Sequence, residues 1–453
     1  MTEKLFGTDG VRGVANTELT PALALALGTA AARVLGRSHA PTFVIGRDTR
    51  VSGPLLEAAL AAGLCSLGAQ VVSPGVLPTP AVAGITRSQE TGYEFDAGIV
   101  ISASHNPFAD NGIKFFGPDG YKLDDALEAE IEALVPQADD LPRPSGGRVG
   151  RMRRDPGLRD LYARQLERAM EGRRLDGVKV VLDAANGANY EVGPRVVSDL
   201  GAQVTALHCA PDGVNINAGC GSLHPGEMMR RVVAEGAQIG LAFDGDADRV
   251  ILADEKGRLV DGDRVMLLVG RHLASQGRLA GNTVVGTIMS NMGLEVALRE
   301  SRLTLLRTAV GDRYVSEAMR RGGYVVGGEK SGHLIFGHLT TTGDGLLTAL
   351  QVLKVMQETG RPLSELADQM TEYPQVLLGV PVRDRTAWQS DPDTQEAIAR
   401  AESHLAGRGR LNVRASGTEK LVRVMVEGPD QAETEALAAE LAALVEKKFG
   451  VEE

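Results

Sequence analysis

The stretch Val178-Lys-Val-Val-Leu-Asp183 opens the pattern that decides the fold. This apolar run is typical of a buried strand, and a loop of small residues follows it at 185–188. A helical segment at 192–200 comes next, and Gly201-Ala-Gln-Val204 then begins another strand. Strand, loop, helix and strand in this order form the βαβ unit, in which a helix covers one face of a sheet. The sequence therefore predicts an α/β domain in this part of the chain.

The same order of elements occurs twice more along the chain. Upstream, a β-rich run at 41–48 precedes a helical segment and Gly68-Ala-Gln-Val71, and downstream a fainter copy covers 283–308. After Pro374 the pattern changes to β-rich segments followed by one helix rich in Ala, Glu and Leu. The sequence thus predicts three related α/β domains and a C-terminal α+β domain. The predicted boundaries are 1–150, 151–258, 259–370 and 371–453.

Composition excludes several classes of function. The 453 residues include 48 Lys and Arg against 59 Asp and Glu, and a net charge of −11 without a basic block argues against a nucleic-acid partner. The N-terminus lacks the apolar core of a signal peptide and no run is long enough to span a bilayer, so we expect a cytoplasmic protein without a membrane partner. Cys65, Cys209 and Cys220 lack disulfide or zinc-type spacing and are interpreted as ordinary thiols.

A run of acidic residues between two apolar β-type stretches predicts a metal site. Asp244, Asp246 and Asp248 place three carboxylates at alternate positions, where they repel one another unless a cation neutralises them. An EF-hand is disfavoured because Arg249 occupies the position that needs glycine, the middle of the loop is apolar and no flanking helices are expected. A solvated acidic turn is the remaining alternative. The favoured ligand is Mg²⁺, which would complete its coordination with water and phosphate oxygens.

A second loop, Ser102-Ala-Ser104-His105-Asn106-Pro107, offers a hydroxyl group. Taken alone, a serine in this setting is more often a turn or capping residue than a catalytic one. The sequence continues to Lys114, whose cation could neutralise a phosphoryl group or carry a proton. A P-loop motif is absent from the sequence, which disfavours an ATP-driven kinase of that type.

These two loops resemble the signature of the α-D-phosphohexomutase superfamily, in which a phosphorylated serine precedes His-Asn-Pro and an Asp-Gly-Asp-x-Asp-Arg loop binds metal. Four further motifs resemble motifs of the family, and they occur in the family's order along the whole chain. They are Phe6-Gly-Thr-Asp-Gly10-Val-Arg12-Gly, Gly46-Arg-Asp-Thr-Arg50, Gly328-Glu329-Lys-Ser331-Gly-His333 and Arg414-Ala-Ser416-Gly417-Thr418-Glu-Lys420-Leu-Val-Arg423. The Asn215-Ile-Asn217-Ala stretch and the form of the serine loop most resemble bacterial members that act on glucosamine phosphates. Lys420 departs from the pattern, since the family commonly has proline there, and this leaves the substrate preference open.

The resemblance implies a four-domain architecture with mixed sheets and assigns roles to individual residues. Ser104, Lys114 and Arg12 are the expected catalytic residues, with His105, Arg249 and His333 as supporting residues, although the sequence leaves the general base open. Phosphorylated Ser104 would share Mg²⁺ with the three aspartates. The expected substrate-binding residues are Glu329, Ser331, Arg414, Ser416, Gly417, Thr418 and Arg423.

The implied reaction interconverts glucosamine 6-phosphate and glucosamine 1-phosphate through a phosphoserine and a 1,6-bisphosphate, for the synthesis of UDP-N-acetylglucosamine. A hexosamine or hexose 1,6-bisphosphate would act as the activator, and the protein would be a monomer or homodimer. Two alternatives stay open. The same chemistry could act on mannose or glucose phosphates, or the protein could be a non-enzymatic phosphosugar sensor in which Ser104 is only a turn residue.

Overall fold

A computed structural model of the chain describes residues 4–7, 9–38, 40–416 and 420–451. The chain divides into two compact units. The large unit comprises Met1–Met289 and Leu306–Asp368, and the C-terminal unit comprises Ser290–Leu305 and Gln369–Glu453.

The first sheet of the large unit has six strands. Its elements are β1 (Val11–Val14), α1 (Pro21–Leu35), β2 (Thr42–Arg47), α2 (Gly53–Ser66), β3 (Gln70–Val76), α3 (Thr79–Thr86), β4 (Ala97–Ile101), β5 (Asp110–Phe116), α4 (Asp125–Leu134) and β6 (Met152–Arg154). The strand order is β1-β5-β4-β2-β3-β6. Strand β2 is parallel to β3 and β4, whereas β5 is antiparallel to β1 and β4, so the sheet is mixed.

The second sheet has five strands. Its elements are α5 (Gly157–Ala169), β7 (Lys179–Asp183), α6 (Val192–Asp199), β8 (Gln203–Leu207), α7 (Gly226–Glu235), β9 (Ile239–Phe243), β10 (Val250–Asp254) and β11 (Leu259–Val260). The strand order is β11-β10-β9-β7-β8. Strand β7 is parallel to β8 and β9, and β10 turns back antiparallel to β9. The strand, helix and strand predicted from Val178 onward are therefore present.

The third sheet has four strands. The elements of this region are α8 (Gly262–Ser275), β12 (Thr283–Thr287), α9 (Met292–Glu300), β13 (Thr304–Thr308), α10 (Asp312–Gly322), β14 (Val326–Gly328), β15 (Leu334–Phe336), α11 (Gly345–Thr359) and α12 (Leu363–Ala367). The strand order is β13-β12-β14-β15, with β14 parallel to β12 and antiparallel to β15. Helix α9 belongs to the C-terminal unit.

The C-terminal unit contains a three-stranded antiparallel sheet. Its remaining elements are β16 (Gln375–Pro381), α13 (Pro392–Leu405), β17 (Arg410–Ala415), β18 (Leu421–Glu427) and α14 (Gln431–Phe449). Strand β18 lies between β16 and β17, and its buried Val424 and Val426 pack with Ala438 and Leu441 of α14. Three α/β sheets and this α+β unit confirm the predicted fold class.

Strand direction brings the chemistry-bearing loops together. Because β2 and β4 are parallel and Arg47 is paired with Ile101, the loops that follow these strands leave the same edge of the sheet. In the second sheet, Asp183 at the end of β7 is paired with Ala242 near the end of β9. Both predicted loops, after β4 and after β9, therefore begin at the carboxyl ends of buried parallel strands, where ligands bind in open α/β sheets.

Local sequence signals fix where the helices begin. The side chain of Thr20 accepts a hydrogen bond from the Leu23 amide, and Pro21 occupies the first turn of α1. Asp261 and Asp344 cap α8 and α11 in the same way. In the described part of the chain, no helix combines the length and apolarity needed to cross a membrane.

The contact between α1 and α2 depends on two glycines and yields a test of the packing. A Cβ atom at Gly28 would lie 2.2 Å from the Leu60 carbonyl oxygen, and one at Gly63 would lie 2.1 Å from that of Leu25. Since backbone atoms cannot move aside cheaply, we expect Gly28→Ala to lower the free energy of unfolding by about 1–3 kcal/mol, despite the better helix propensity of alanine. Urea unfolding followed by circular dichroism measures this change.

The matched control is Gly147→Ala, because a Cβ atom there has no other atom within 4 Å. We expect the control to unfold at the wild-type urea concentration. Equal midpoints for the two variants would contradict the close approach of α1 and α2.

Candidate active site

Ser104 lies in the loop after β4 and adopts an unusual backbone conformation. Its φ is +52°, in the left-handed region that few residues other than glycine adopt. The Ser104 amide donates to Ser102 Oγ over 3.0 Å, and Ser102 Oγ in turn donates to Asp48 Oδ2 over 2.6 Å. Burial raises the pKa of Asp48, and the Arg50 charge opposes that rise. The serine is thus held by a chain of buried hydrogen bonds from the loop after β2.

Arg50 is the main support of the serine loop. Its fully buried guanidinium donates to Asp48 over 2.8 Å and to four backbone carbonyl oxygens. These oxygens belong to Ser104, Asn106, Pro107 and Asp110. Asn217 Nδ2 also donates to Ser104 O over 2.9 Å and to Asn106 O over 3.1 Å. Sequence reasoning quoted both Arg50 and Asn217 as family motifs but missed that they position Ser104.

The three aspartates of the predicted metal loop converge between β9 and β10. All are buried, and one carboxylate oxygen from each lies within 4.8 Å of the others. Asp246 Oδ1 and Asp248 Oδ1 are buried without a hydrogen-bond partner among the described residues. Burial, and then the charges of Asp248 and Asp246, raise the pKa of Asp244 well above its usual range. Buried oxygens that lack donors and repel one another fit a hard divalent cation such as Mg²⁺.

The structure brings the predicted nucleophile and metal loop together. Ser104 Oγ donates to Asp244 Oδ2 over 2.6 Å, although 139 residues separate the two in sequence. The Arg249 amide donates to the other oxygen of Asp244 over 3.2 Å, and the Arg249 guanidinium lies 3.8 Å from Asp248. A phosphoryl group on Ser104 would therefore stand directly at the aspartate cluster.

Cations surround the cluster on the side of the first sheet. Lys114 Nζ donates to Asp246 Oδ2 over 3.0 Å and lies 3.4 Å from Asp9 Oδ2. Burial alone would lower the pKa of Lys114, but the charges of Asp246 and Asp9 outweigh it and raise the pKa. Arg12 also forms an ion pair with Asp9. The predicted Lys114 is thus a positive charge on the cluster, and the predicted Arg12 is linked to Lys114 through Asp9.

Lys122, Asp9 and Asp312 form a further group of charges that the sequence analysis did not predict. Lys122 Nζ lies 2.6 Å from both Asp9 and Asp312. Burial tends to raise the pKa of Asp9, but Lys114, Lys122 and Arg12 hold it well below its usual range. Asp9 in the Phe6 motif and Lys122 gave no sequence signal for this network, because the interacting residues come from distant segments.

The two predicted supporting histidines occupy different environments. His105 Nδ1 lies 3.3 Å from Ser104 Oγ, and burial, followed by the charges of Arg249 and Arg12, lowers its pKa. His333 is buried, with Nδ1 3.5 Å from Asp248 Oδ2 and Nε2 accepting from the Gly343 amide over 3.1 Å. Burial lowers the pKa of His333, but Asp248 outweighs that effect and raises it.

The predicted sugar loop lies between β14 and β15, next to the metal loop. Glu329 Oε1 accepts from the Gly311 amide over 3.0 Å, and Ser331 Oγ donates to Glu329 Oε2 over 3.4 Å. Gly332 has φ +92°, and a Cβ atom there would lie 2.2 Å from the Val250 carbonyl oxygen. The Val250 amide donates to Gly332 O over 3.1 Å. The glycine thus lets the sugar loop pack against the strand that follows Arg249.

The predicted phosphate-binding residues of the C-terminal unit lie on β17 and β18. Arg414 and Arg423 are directly opposite each other on the two strands. Burial and the charge of Arg423 lower the pKa of Arg414. Arg385 Nη1, which sequence reasoning missed, donates to Ser416 O over 3.2 Å. Like charges at opposed positions are unfavourable without an anion, so this sheet edge suits phosphate. Gly417 and Thr418 lie outside the described residues.

Family models match the chain along most of its length. They are described as phosphoglucomutase/phosphomannomutase alpha/beta/alpha domains I, II and III and the C-terminal domain, and they match residues 3–141, 160–257, 261–373 and 377–444. These matches agree with the three mixed sheets and the antiparallel C-terminal sheet.

Solved structures share the fold. A phosphoglucomutase/phosphomannomutase family protein from Burkholderia thailandensis aligns with a TM-score of 0.82 and 23% identity, covering 99% of this chain and 98% of that one. N-acetylphosphoglucosamine mutase from Aspergillus fumigatus, solved with GlcNAc-6P and magnesium, aligns with a TM-score of 0.68 and 20% identity, covering 98% and 95% of the two chains.

Curated relatives are far more similar in sequence. The phosphoglucosamine mutase of Desulforudis audaxviator is 57% identical over 443 residues, which cover 97% of each chain. That of Moorella thermoacetica is 54% identical over 440 residues, covering 97% of this chain and 98% of the relative. Identity of this extent, together with the four domain matches, shows that the chain belongs to the phosphoglucosamine mutases of the phosphoglucomutase/phosphomannomutase family.

Proposed function

We propose that this protein interconverts glucosamine 6-phosphate and glucosamine 1-phosphate through phosphorylated Ser104 and a 1,6-bisphosphate intermediate. The observation that carries the proposal is the 2.6 Å contact of Ser104 Oγ with Asp244, inside a cluster of three buried carboxylates. A turn residue would not need this environment, which disfavours the non-enzymatic sensor. The 50–57% identity to phosphoglucosamine mutases favours glucosamine over glucose or mannose as the sugar.

The first transfer moves the phosphoryl group from Ser104 to the sugar. The C1 hydroxyl oxygen of glucosamine 6-phosphate forms the new bond to phosphorus, the bond from phosphorus to Ser104 Oγ breaks, and the hydroxyl proton leaves to a base. Lys114 and Arg249 contact the aspartate cluster, Arg12 pairs with Asp9 next to Lys114, and these three cations are proposed to stabilise the charge of the transferring group. Mg²⁺ held by Asp244, Asp246 and Asp248 would supply further charge neutralisation.

The second transfer runs in the opposite direction. Ser104 Oγ attacks the 6-phosphate of the reoriented bisphosphate, the C6 oxygen leaves as a hydroxyl, and glucosamine 1-phosphate is released. The phosphoserine is restored, so the cycle needs no net phosphate donor beyond the 1,6-bisphosphate that loads or rescues the enzyme. Glu329 and Ser331 are proposed to bind sugar hydroxyl or amino groups, and the arginine pair on β17 and β18 to bind a phosphate.

The reaction is proposed to supply glucosamine 1-phosphate for the synthesis of UDP-N-acetylglucosamine. A cytoplasmic location and a monomeric or homodimeric state remain predictions from the sequence. Size-exclusion chromatography with light scattering measures the oligomeric state.

The nucleophile is tested by Ser104→Ala. We expect turnover of glucosamine 6-phosphate to fall below about 1% of the wild-type rate, because alanine cannot carry the phosphoryl group between the two transfers. The measurement is phosphorus NMR with Mg²⁺ and a trace of glucose 1,6-bisphosphate. Glucose and mannose phosphates run in parallel compare the three sugars.

For the wild type, faster turnover of glucose or mannose phosphate than of the amino sugar would move the substrate assignment to those sugars. Full activity in Ser104→Ala would refute the phosphoserine mechanism.

Support of the serine loop is tested by Asn217→Gly. Glycine keeps the φ of +57° at this position but removes the amide that holds the Ser104 and Asn106 carbonyls. A misplacement of about 1 Å costs up to about 100-fold in rate, so we expect kcat to fall by about 10- to 100-fold with a smaller change in KM. Steady-state kinetics separate the two parameters.

Asn282→Gly is the matched control, since Asn282 has a similar φ of +50° and is exposed at the end of a short 3₁₀ turn. We expect its kcat to match the wild type. An equal loss of kcat in both variants would show that the effect comes from backbone flexibility and not from the lost amide.

The phosphate-binding role of the C-terminal sheet is tested by Arg414→Gln. A charge-assisted hydrogen bond contributes about 1.5–3 kcal/mol, so we expect KM for glucosamine 6-phosphate to rise by about 10- to 150-fold. The control is Arg400→Gln on α13, whose exposed side chain pairs only with its helical neighbour Glu396 in the described contacts. An unchanged KM in Arg414→Gln would exclude this phosphate site.

A further inference from the structure

A second cluster of metal-ligating side chains lies apart from the aspartates of the proposed active site. Asp183 is the last residue of β7, and its strand partner Leu207 is the last residue of β8. His208 follows Leu207 directly, and Cys220 reaches the same edge from the loop before α7. One ligand atom from each of Asp183, His208 and Cys220 lies within 4.8 Å of the other two.

The His208 ring lies between two carboxylates. Its Nδ1 lies 3.1 Å from Asp183 Oδ1, and its Nε2 lies 3.6 Å from Glu227 Oε2. The Nδ1 atom is nevertheless buried and makes no hydrogen bond within the described part of the chain. A histidine whose second nitrogen faces a carboxylate is the usual arrangement around protein-bound zinc, because the carboxylate orients the ring and raises its basicity.

Asp183 also accepts two backbone hydrogen bonds, and these leave lone pairs of its carboxylate oxygens free to bind a metal ion. Its Oδ1 accepts from the Ala185 amide and its Oδ2 from the Gly221 amide, both over 2.9 Å. An ionised carboxylate offers about four lone-pair sites, so each oxygen keeps one free position. The two amides hold the carboxylate in place beside His208 and Cys220.

A role for Cys220 as a nucleophile or redox sensor is disfavoured. The thiol is 1% exposed, and burial, followed by the charges of Asp183 and Glu227, raises its pKa to about 12. Reactive cysteines are accessible and have lowered pKa values. A buried thiol close to the Asp183 carboxylate and the His208 ring is better suited to a cation.

We propose that Asp183, His208 and Cys220 form a binding site for a zinc-class transition-metal ion. Oxygen, nitrogen and sulfur are the zinc donors found in proteins, and three protein ligands leave the fourth tetrahedral position to water. His208 is 26% exposed, so solvent can reach the cluster on its side. On binding, a bond from the metal to Cys220 Sγ replaces the S–H bond, and the proton passes to solvent. The mixed donor set distinguishes this site from the all-oxygen aspartate cluster, which suits Mg²⁺.

The loops that carry the ligands also contact the catalytic loops. Asn217, three residues before Cys220, donates to the Ser104 carbonyl over 2.9 Å. The Ala188 amide, five residues after Asp183, donates to Gly245 O in the metal loop over 2.7 Å. A zinc ion that ties Asp183 to Cys220 would therefore restrain both supports of the active site, and we expect it to raise the melting temperature of the whole protein.

The test uses the full chain, stripped of metal and then held in excess Mg²⁺ under reducing conditions. We expect one Zn²⁺ per chain to bind in competition titrations, and Co²⁺ at the same site to show a thiolate-to-cobalt charge-transfer band. Cys220→Ser should abolish that band, and His208→Gln should change the ligand-field spectrum. Glu227→Gln should weaken zinc binding by about 10- to 100-fold, as expected for a residue that only orients a ligand.

Cys65→Ser is the matched thiol control, because Cys65 lies on α2 in the first α/β domain. It should bind zinc and give the cobalt band like the wild type. A band that persists in Cys220→Ser, or zinc binding unaffected by both Cys220→Ser and His208→Gln, would refute the site.

X-ray absorption at the zinc edge tests the wild type even where a variant fails to fold. We expect one sulfur scatterer at about 2.3 Å from zinc, with nitrogen and oxygen scatterers at about 2.0–2.2 Å. Scatterers of nitrogen and oxygen alone would exclude Cys220 as a ligand. These readouts are independent of mutase activity, so the zinc site and the proposed phosphoserine mechanism can fail separately.

Discussion

The repulsion among three buried carboxylates is the constraint on which the proposed active site depends. Two unit charges 4 Å apart interact by about 4 kcal/mol at an effective dielectric constant of 20, and Asp244, Asp246 and Asp248 have one oxygen each within 4.8 Å of the others. The protein offsets part of this cost with Lys114 on Asp246 and His333 facing Asp248. Two carboxylate oxygens are still buried without a donor in the described chain. Folding thus builds a site that a divalent cation completes.

The serine loop shows the complementary strategy, in which a buried cation holds the backbone in place. Arg50 donates to four backbone carbonyl oxygens of the loop, so its charge is dispersed over several acceptors. Asp48 neutralises Arg50 and also accepts from Ser102. This network compensates for the left-handed conformation of Ser104, which alone is unfavourable. The result is a hydroxyl fixed in direction toward Asp244 before any substrate binds.

The elements and loops that are local in sequence were predictable. The apolar runs and small-residue loops gave the βαβ order, and the spacing of Asp244, Asp246 and Asp248 gave a metal loop between two strands. Pairings over long separations were not predictable. Lys122 meets Asp9 and Asp312 across more than 100 residues of sequence in each case, and no local pattern encodes those contacts. The family resemblance pointed to Arg50 and Asn217. Only the structure shows that both side chains hold the backbone carbonyl oxygens of the serine loop.

The cysteines show why spacing along the chain is an incomplete guide to metal sites. Cys209 and Cys220 have no zinc-type spacing, and sequence reasoning treated them as ordinary thiols. In the fold, Asp183 and His208 come together because parallel strands β7 and β8 end in register, and the loop that supplies Asn217 to the serine then carries Cys220 to the same edge. Each ligand therefore comes from a different segment, and strand pairing, not a motif, brings Asp183 beside His208. The aspartate cluster differs, because its three carboxylates come from one loop after β9 and meet Ser104 from the loop after β4 of another sheet. What the hard-cation site and the proposed softer donor set share is their place at the carboxyl ends of parallel strands.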